Sequence, residues 1–262
     1  MAVRPRNATG AAALGAGPLT PAMLALYAQT DVRVSGEDLS VALTLRPGVS
    51  VSGQLRFDGA TPPPADMTRV RVSLSAVITR GASIGVPPAP VTASGSFSFN
   101  GVTPGRYRVT ASVPGSSATA GWQPRSALLN GVDVLDLPFD VGTTDVRDLA
   151  LAFTDHPAEI SGVIQDAAGH PTPEYFIVIF AADKSLWSPQ SRRIQAKRPS
   201  SDGRFTFPNL APGDYMMAAV TDAEQGEWYD PAFLTQLTPA AIKVTLAEGE
   251  KKVQDIRLAG GR

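Results

Sequence analysis

Gly95-Ser-Phe97-Ser-Phe99-Asn-Gly-Val102-Thr-Pro104-Gly105-Arg-Tyr107 returns, without a gap, as Gly203-Arg-Phe205-Thr-Phe207-Pro-Asn-Leu210-Ala-Pro212-Gly213-Asp-Tyr215. Single Pro-Gly turns are common, but an ungapped match of this length marks an internal repeat. In each copy the two phenylalanines alternate with polar residues, which places them on one face of a strand. Gly95 and Gly203 stand at a hairpin position that calls for positive φ, and Ser201-Asp202-Gly203 is the stronger turn signal. Pro104-Gly105 and Pro212-Gly213 fit the central positions of a type II turn. Alternation resumes in Tyr107-Arg-Val109 and Tyr215-Met-Met217. The unit reads strand, tight turn, strand, with aromatics inward.

The repeat extends outward at nearly constant spacing. Val51-Ser52-Gly53-Gln54-Leu55 matches Ile160-Ser161-Gly162-Val163-Ile164. Turn-rich stretches follow at Asp58–Pro64 and Asp166–Pro171, then apolar runs at Val70–Leu74 and Phe176–Phe180. The second run is continuously apolar and is expected to be a central strand buried on both faces. Each unit closes on a further alternating strand, Asp145–Phe153 and Gly249–Leu258, and a third such ending, Gly36–Leu45, precedes the first unit. Three tails and two heads imply that this third ending is the remnant of a truncated preceding copy, or an edge strand for the first unit.

Composition agrees. A chain of 262 residues suits two domains at about 100–150 residues each. Its 24 glycines and 23 prolines are spread through the sequence at turn positions, the pattern of an all-β protein with many short strands. The formal net charge of -1 gives no electrostatic case for nucleic acid or an anionic membrane. Cysteine is absent and there are two histidines, His156 and His170. That excludes disulfides and thiolate chemistry and leaves little for metal or acid–base sites. No cofactor and no metal site are expected, and no transmembrane segment is visible. Arg4 and Arg6 precede an apolar stretch resembling a signal peptide, but Pro18 and Pro21 interrupt it.

The expected architecture is two tandem β-sandwiches of similar length. Residues 1–30 are expected to be disordered or weakly helical, with helix over Ala22–Ala28 and disorder over Ala11–Thr20. Residues 31–48 form the terminal strand of the truncated copy, 49–154 the first sandwich and 158–259 the second. The stretch Thr154–Ala158 is too short for a free linker. A short helix is expected at Pro231–Leu237, capped by Asp230 with Pro231 in the first turn.

The Ile-Ser-Gly strand, the Gly-Arg-Phe-Thr-Phe and Leu-Ala-Pro-Gly-Asp-Tyr segments and the final apolar strand together resemble the carboxypeptidase regulatory-like domain family. Gly226-Glu-Trp228-Tyr229-Asp230-Pro231-Ala-Phe233-Leu234 resembles a signature of multi-copy versions in soil bacteria such as acidobacteria. The resemblance covers both units. It implies two tandem Greek-key β-sandwiches of the transthyretin-like (prealbumin) or immunoglobulin-like kind, with no catalytic residues, serving as a spacer or binding module of secreted and envelope proteins.

His156-Pro-Ala-Glu159 has zinc-ligand spacing but lies at a domain junction with no distant third ligand. Gly81-Ala-Ser83-Ile-Gly85 matches a nucleophile elbow, yet the prolines after it forbid the helix that motif requires. Asp133 with Asp136, and Asp222 with Glu224, read as loop charges. The basic run Arg192–Arg198 reads as a solvated hairpin. Trp122, Trp187, Trp228 and Tyr229 are the candidate contacts for a protein or polysaccharide partner, against a role as caps on the sandwiches. The expected function is a non-catalytic structural or interaction module of an exported bacterial protein, secreted, periplasmic or in the envelope. A carbohydrate-binding module is one alternative, requiring two of those aromatics on a coplanar platform. An accessory C-terminal region of a peptidase is another.

Overall fold

The computed structural model describes residues 2–3, 26–30, 32–33, 35–36, 38, 40–77, 85–117, 120–189 and 191–258. The chain divides into two compact units, Met1–Pro114 with Pro124–Phe153, and Gly115–Gln123 with Thr154–Arg262. The second unit therefore includes a short segment that the sequence boundaries had placed in the first.

The first unit contains β1 (Ala2–Val3), β2 (Leu26–Gln29), β3 (Arg46–Pro47), β4 (Val49–Asp58), β5 (Arg71–Ala76), β6 (Ser96–Val102), β7 (Gly105–Ser112), β8 (Gln123–Leu129), β9 (Val132–Asp133), β10 (Phe139–Val141) and β11 (Val146–Thr154). One sheet runs β6-β4-β11-β8-β9 and the other β10-β7-β5. The second unit contains β12 (Ala158–Gln165), β13 (Phe176–Ala181), β14 (Ile194–Lys197), β15 (Arg204–Leu210), β16 (Gly213–Val220), α1 (Pro231–Leu237), β17 (Ile242–Leu246), β18 (Lys251–Val253) and β19 (Ile256–Arg257). Its sheets run β15-β12-β18, with β19 also on β12, and β14-β13-β16-β17. Both units are all-β sandwiches.

The repeated stretch produces the same geometry twice. Gly95 and Gly203 take φ of 81° and 78°, as the hairpin requires. Their carbonyls accept from Leu55 N and Ile164 N, each at 2.9 Å. β4 pairs antiparallel with β6, and β12 with β15, with a register shift at the same place, between Val49 and Val51 and between Ala158 and Ile160. Opposite the shift, Gly101 and Asn209 adopt left-handed φ of 69° and 54°. The type II turn expected at Pro-Gly is not formed: Gly105 has no positive φ, Gly213 has φ of 144°, and each opens the next strand. The ladder continues past the bulge to Val102 and Leu210, and the chain then crosses to the other sheet of its unit at Thr103-Pro104 and Ala211-Pro212. The corner is tied by the tyrosines: Tyr107 Oη donates to Thr103 O at 2.9 Å and Tyr215 Oη to Ala211 O at 2.7 Å.

Gly53 and Gly162 occupy inward positions flanked by buried residues, Val51 and Leu55 in one unit, Ile160 and Ile164 in the other. A Cβ on Gly53 would stand 2.1 Å from Leu149 O and 2.6 Å from the Phe97 ring. On Gly162 it would stand 2.2 Å from Gln254 O and 2.9 Å from the Phe205 ring. The cross-strand aromatic and a carbonyl of the terminal strand fill the space a side chain would take.

β13 is buried on both faces, as its unbroken apolar run implied: Ile177, Val178, Ile179 and Phe180 are each 0% exposed. Ile177 and Ile179 face the sandwich core with Phe207, Tyr215 and Met217, while Val178 and Phe180 pack with Trp187, Ile194 and Leu234. The second layer exists because α1 covers that face. The helix starts as expected, with Asp230 Oδ1 accepting from Ala232 N at 2.9 Å and Pro231 in its first turn.

The N-terminal expectations need correction. Leu26–Ala28 are strand, not helix, since Leu26 and Tyr27 find ladder partners in Pro47 and Arg46. Val41–Leu45 form no strand, and Arg46–Pro47 alone pair, because the apolar face of that segment meets no sheet. Ala11–Thr20 and the rest of the expected helix lie outside the described residues.

Gly53→Ala and Gly162→Ala are expected to destabilise their own units by about 1–3 kcal/mol or more through overpacking against backbone. Gly142→Ala, with nothing within 4 Å of its Cβ, is the near-neutral comparison. Chemical denaturation of the three variants checks this.

Candidate functional site

A groove of about 580 Å³ lies on the first unit. Its floor is the outward face of two paired strands, where alternation turns Ser52, Gln54 and Arg56 of β4 and Ser96, Ser98 and Asn100 of β6 away from the core. Pro90, Val91 and Thr92 form one wall, held by the bridges of Ala89 to Val72 and Val91 to Phe97. Asp148 and Ala150 form the other. Asp148 has a left-handed φ of 62°, a conformation uncommon outside glycine. The lining is engaged with itself: Gln54 Nε2 donates to Ser94 O at 2.6 Å and Ser96 Oγ to Gln54 Oε1 at 2.8 Å. Hydroxyls, amides and one charge of each sign suit hydrogen bonding to a polar ligand. No serine of the groove has a histidine beside it to act as base.

The aromatic candidates are not brought together as a platform. Trp122 and Trp187 are 7% and 9% exposed, so neither presents a ring face to a ligand. Trp187 packs edge-on against Phe180 at 5.6 Å and donates Nε1–H to Ala181 O at 2.7 Å. Trp228 and Tyr229 are half-buried against the second hydrophobic layer, their rings 6.1 Å apart and tilted by 53°. The corner they form is a cap on β13 and β16. Ring stacking on a sugar would need coplanar, open faces.

The charged candidates serve backbone. Asp133 Oδ1 accepts from Ala127 N and Leu135 N. In the basic run, Arg193 donates to Pro212 O, Lys197 to Thr206 O and Arg198 to Glu174 O, with the Arg198 guanidinium 4.0 Å over the Phe176 ring. The carboxyl of Asp145 is held below its ordinary range by the Ser50 backbone N–H, and that of Glu250 by the Ala247 N–H. Asp166, Asp183 and Asp202 are lowered by hydrogen bonds within their own turns. His156 pairs with Asp155, and His170 Nδ1 lies 3.2 Å from Asp166. Among the described residues, no three His, Cys, Asp or Glu side chains gather as a metal site. Ser83 lies outside the described residues. The groove is the feature that the sequence reading missed, and its signal was the polar alternation of Ser52-Gly-Gln54-Leu-Arg56 opposite Ser96-Phe-Ser98-Phe-Asn100.

The fold class is thus an all-β tandem sandwich, and known structures of that class resemble it. A streptococcal ancillary pilin matches at 12% identity and TM-score 0.32, over 88% of this chain and 74% of that one. A minor pilin of Streptococcus agalactiae matches at 11% and 0.33, over 82% and 97%. The TIE protein of Bacillus anthracis matches at 12% and 0.24, over 84% of this chain, which spans only 37% of that protein. At such scores the likeness carries no functional information. No protein-family model and no curated protein matches the sequence. No helix among the described residues is long and apolar enough to cross a membrane.

Trp187→Ala is expected to destabilise the second unit by about 3–5 kcal/mol, as for a large buried aromatic. Trp228→Ala, at a half-buried site, should cost less. Urea denaturation followed by tryptophan fluorescence and circular dichroism measures both. An unchanged midpoint for Trp187→Ala would contradict its role as a cap.

Proposed function

We propose that this chain is a non-catalytic spacer and presentation module of an exported bacterial multi-domain protein, built from two copies of the carboxypeptidase regulatory-like domain. The observation that carries the reading is where the polar groups go. In both units carboxylates hold backbone N–H groups, Asp145 that of Ser50 and Asp133 those of Ala127 and Leu135 in the first, Asp255 that of Val163 and Asp230 that of Ala232 in the second, and in the second unit Arg193, Lys197 and Arg198 are bonded to carbonyls. What repeats between the units is a set of structural locks: the side-chain-free glycine, the bulge and the tyrosine corner. A protein that holds distance needs that set and no reactive centre. Envelope or extracellular placement follows from the family that the repeats resemble.

A neutral oligosaccharide in the first unit's groove is the second reading, favoured by its hydroxyl and amide lining. One pair of measurements decides between them. Pulled from its ends, a spacer unfolds in two separate force peaks, each releasing roughly 30–40 nm of chain at about 3.5 Å per residue. Its melting temperature stays constant across a panel of oligosaccharides. Extension without resolved peaks would overturn the spacer reading. A melting temperature that climbs with one sugar, and does so less in Arg56→Ala, would establish the groove as a binding site.

A further inference from the structure

The sequence Asp38-Leu-Ser-Val41-Ala42-Leu43-Thr44-Leu45-Arg46-Pro47 lies position for position on Asp148-Leu149-Ala-Leu151-Ala152-Phe153-Thr154-Asp-His156-Pro157. The Asp, first Leu, Ala, Thr and Pro are identical, and Val41 and Leu43 stand on Leu151 and Phe153. In β11 this sequence is core: Leu149, Leu151 and Phe153 are each 0% exposed. In the N-terminal segment Val41, Leu43 and Leu45 are 42%, 43% and 54% exposed, and residues 40–45 belong to no ladder. One amphipathic strand sequence therefore occurs twice, once inside a sandwich and once without one. An apolar segment outside any ladder is a template for pairing with another chain.

The chain also contains a strand position that this segment fits. The terminal strand of the second unit pairs parallel with β12 over three residues in β18 and two in β19. Between them the regular ladder gives way to single bonds, from Gln254 N to Ser161 O and from Val163 N to Asp255 Oδ1. Ile256 is buried and Leu258 half-buried, so this strand sinks two apolar residues where β11 sinks three. In the first unit β8 lies beyond β11. In the second, among the described residues, no strand lies beyond β18, and Val253 there is 72% exposed. The position has two short ladders and, among the described residues, is open on its outer side.

We propose that residues 38–45 of one molecule take the terminal-strand position of the second unit of another copy, replacing β18 and β19, so that molecules join head to tail. Val41 and Leu43 then enter the core as Leu151 and Phe153 do in β11. From there the incoming chain leaves through Arg46-Pro47 into β4, as β11 leaves through His156-Pro157 into β12. Each junction between molecules repeats a connection already present within one. The interface is heterologous, so it propagates instead of closing. The incoming strand competes with a tail tethered to its own domain, so association rises with protein concentration and with any weakening of that tail.

Sedimentation of three full-length proteins tests this. The wild-type chain is expected to gain weight-average mass between roughly 1 and 500 µM, while V41D/L43D/L45D stays monomeric. I256D, whose tail is weakened and whose donor segment is intact, should associate at a concentration at least about tenfold lower. Because I256D also weakens the fold of its unit, a second readout is needed. A synthetic peptide of residues 36–48, titrated into I256D, is expected to raise the melting temperature of the second unit. The same peptide with Asp at 41, 43 and 45 should not. Equal monomer mass for the wild type and the triple variant at every concentration would overturn the proposal. So would association that survives the triple variant, or a peptide that leaves I256D unchanged.

Discussion

Two missing side chains organise each half of this protein. Gly53 and Gly162 stand between buried residues two positions away on the same strand face, and the space is taken by a phenylalanine ring from one flank and a carbonyl from the other. A sandwich strand that gives up its own side chain loses packing and backbone restraint. Here the loss is offset because the ring of Phe97 or Phe205 and the terminal strand close over the gap. The glycine, the aromatic and the terminal strand are one device. The bulge at Gly101 and Asn209 and the tyrosine corner then fix where the aromatic strand ends and the next begins.

That device has a consequence for function. A strand whose fit depends on backbone approach tolerates little movement, and the polar groups near it are drawn into holding it. Asp145 Oδ1 accepts from Ser50 N, and Asp255 Oδ1 from Val163 N, each at 2.9 Å. Both carboxylates come from the terminal-strand region and grip the glycine strand. These two carboxylates are thus engaged in holding backbone. The groove on the first unit is the exception in shape, since it lies on the outward face, where packing makes no demand.

Much of the fold was legible because it was written twice. The repeated hairpin, the doubly buried Phe176–Phe180 and the Asp230-Pro231 helix start follow from local rules that tertiary structure did not override. The expected Pro-Gly turn does not form because the left-handed residue lies earlier, in the bulge at Asn100-Gly101 and Pro208-Asn209, and Pro-Gly only carries the chain to the other sheet. Those pairs look unalike in sequence but share one left-handed residue. The Asn130-Gly131 hairpin joining β8 and β9, with φ of 51° and 80°, carried a clear signal that went unread. The aromatic candidates could not be sorted from sequence, since a capping tryptophan and a ligand-stacking one use the same residue, and burial alone separates them. The groove was invisible because its residues are small, polar and come from two strands brought together by long-range pairing.

The measurement that tests the account most directly is native-state hydrogen exchange across the first unit as a function of denaturant. If β11 is integral to the glycine strand, the amides of Leu149, Leu151 and Phe153 exchange with the same free energy and denaturant dependence as those of Val51 and Phe99. All five would then be released only by unfolding of the whole unit. Exchange of the β11 amides through a smaller, separate opening, with Val51 and Phe99 still protected, would contradict it.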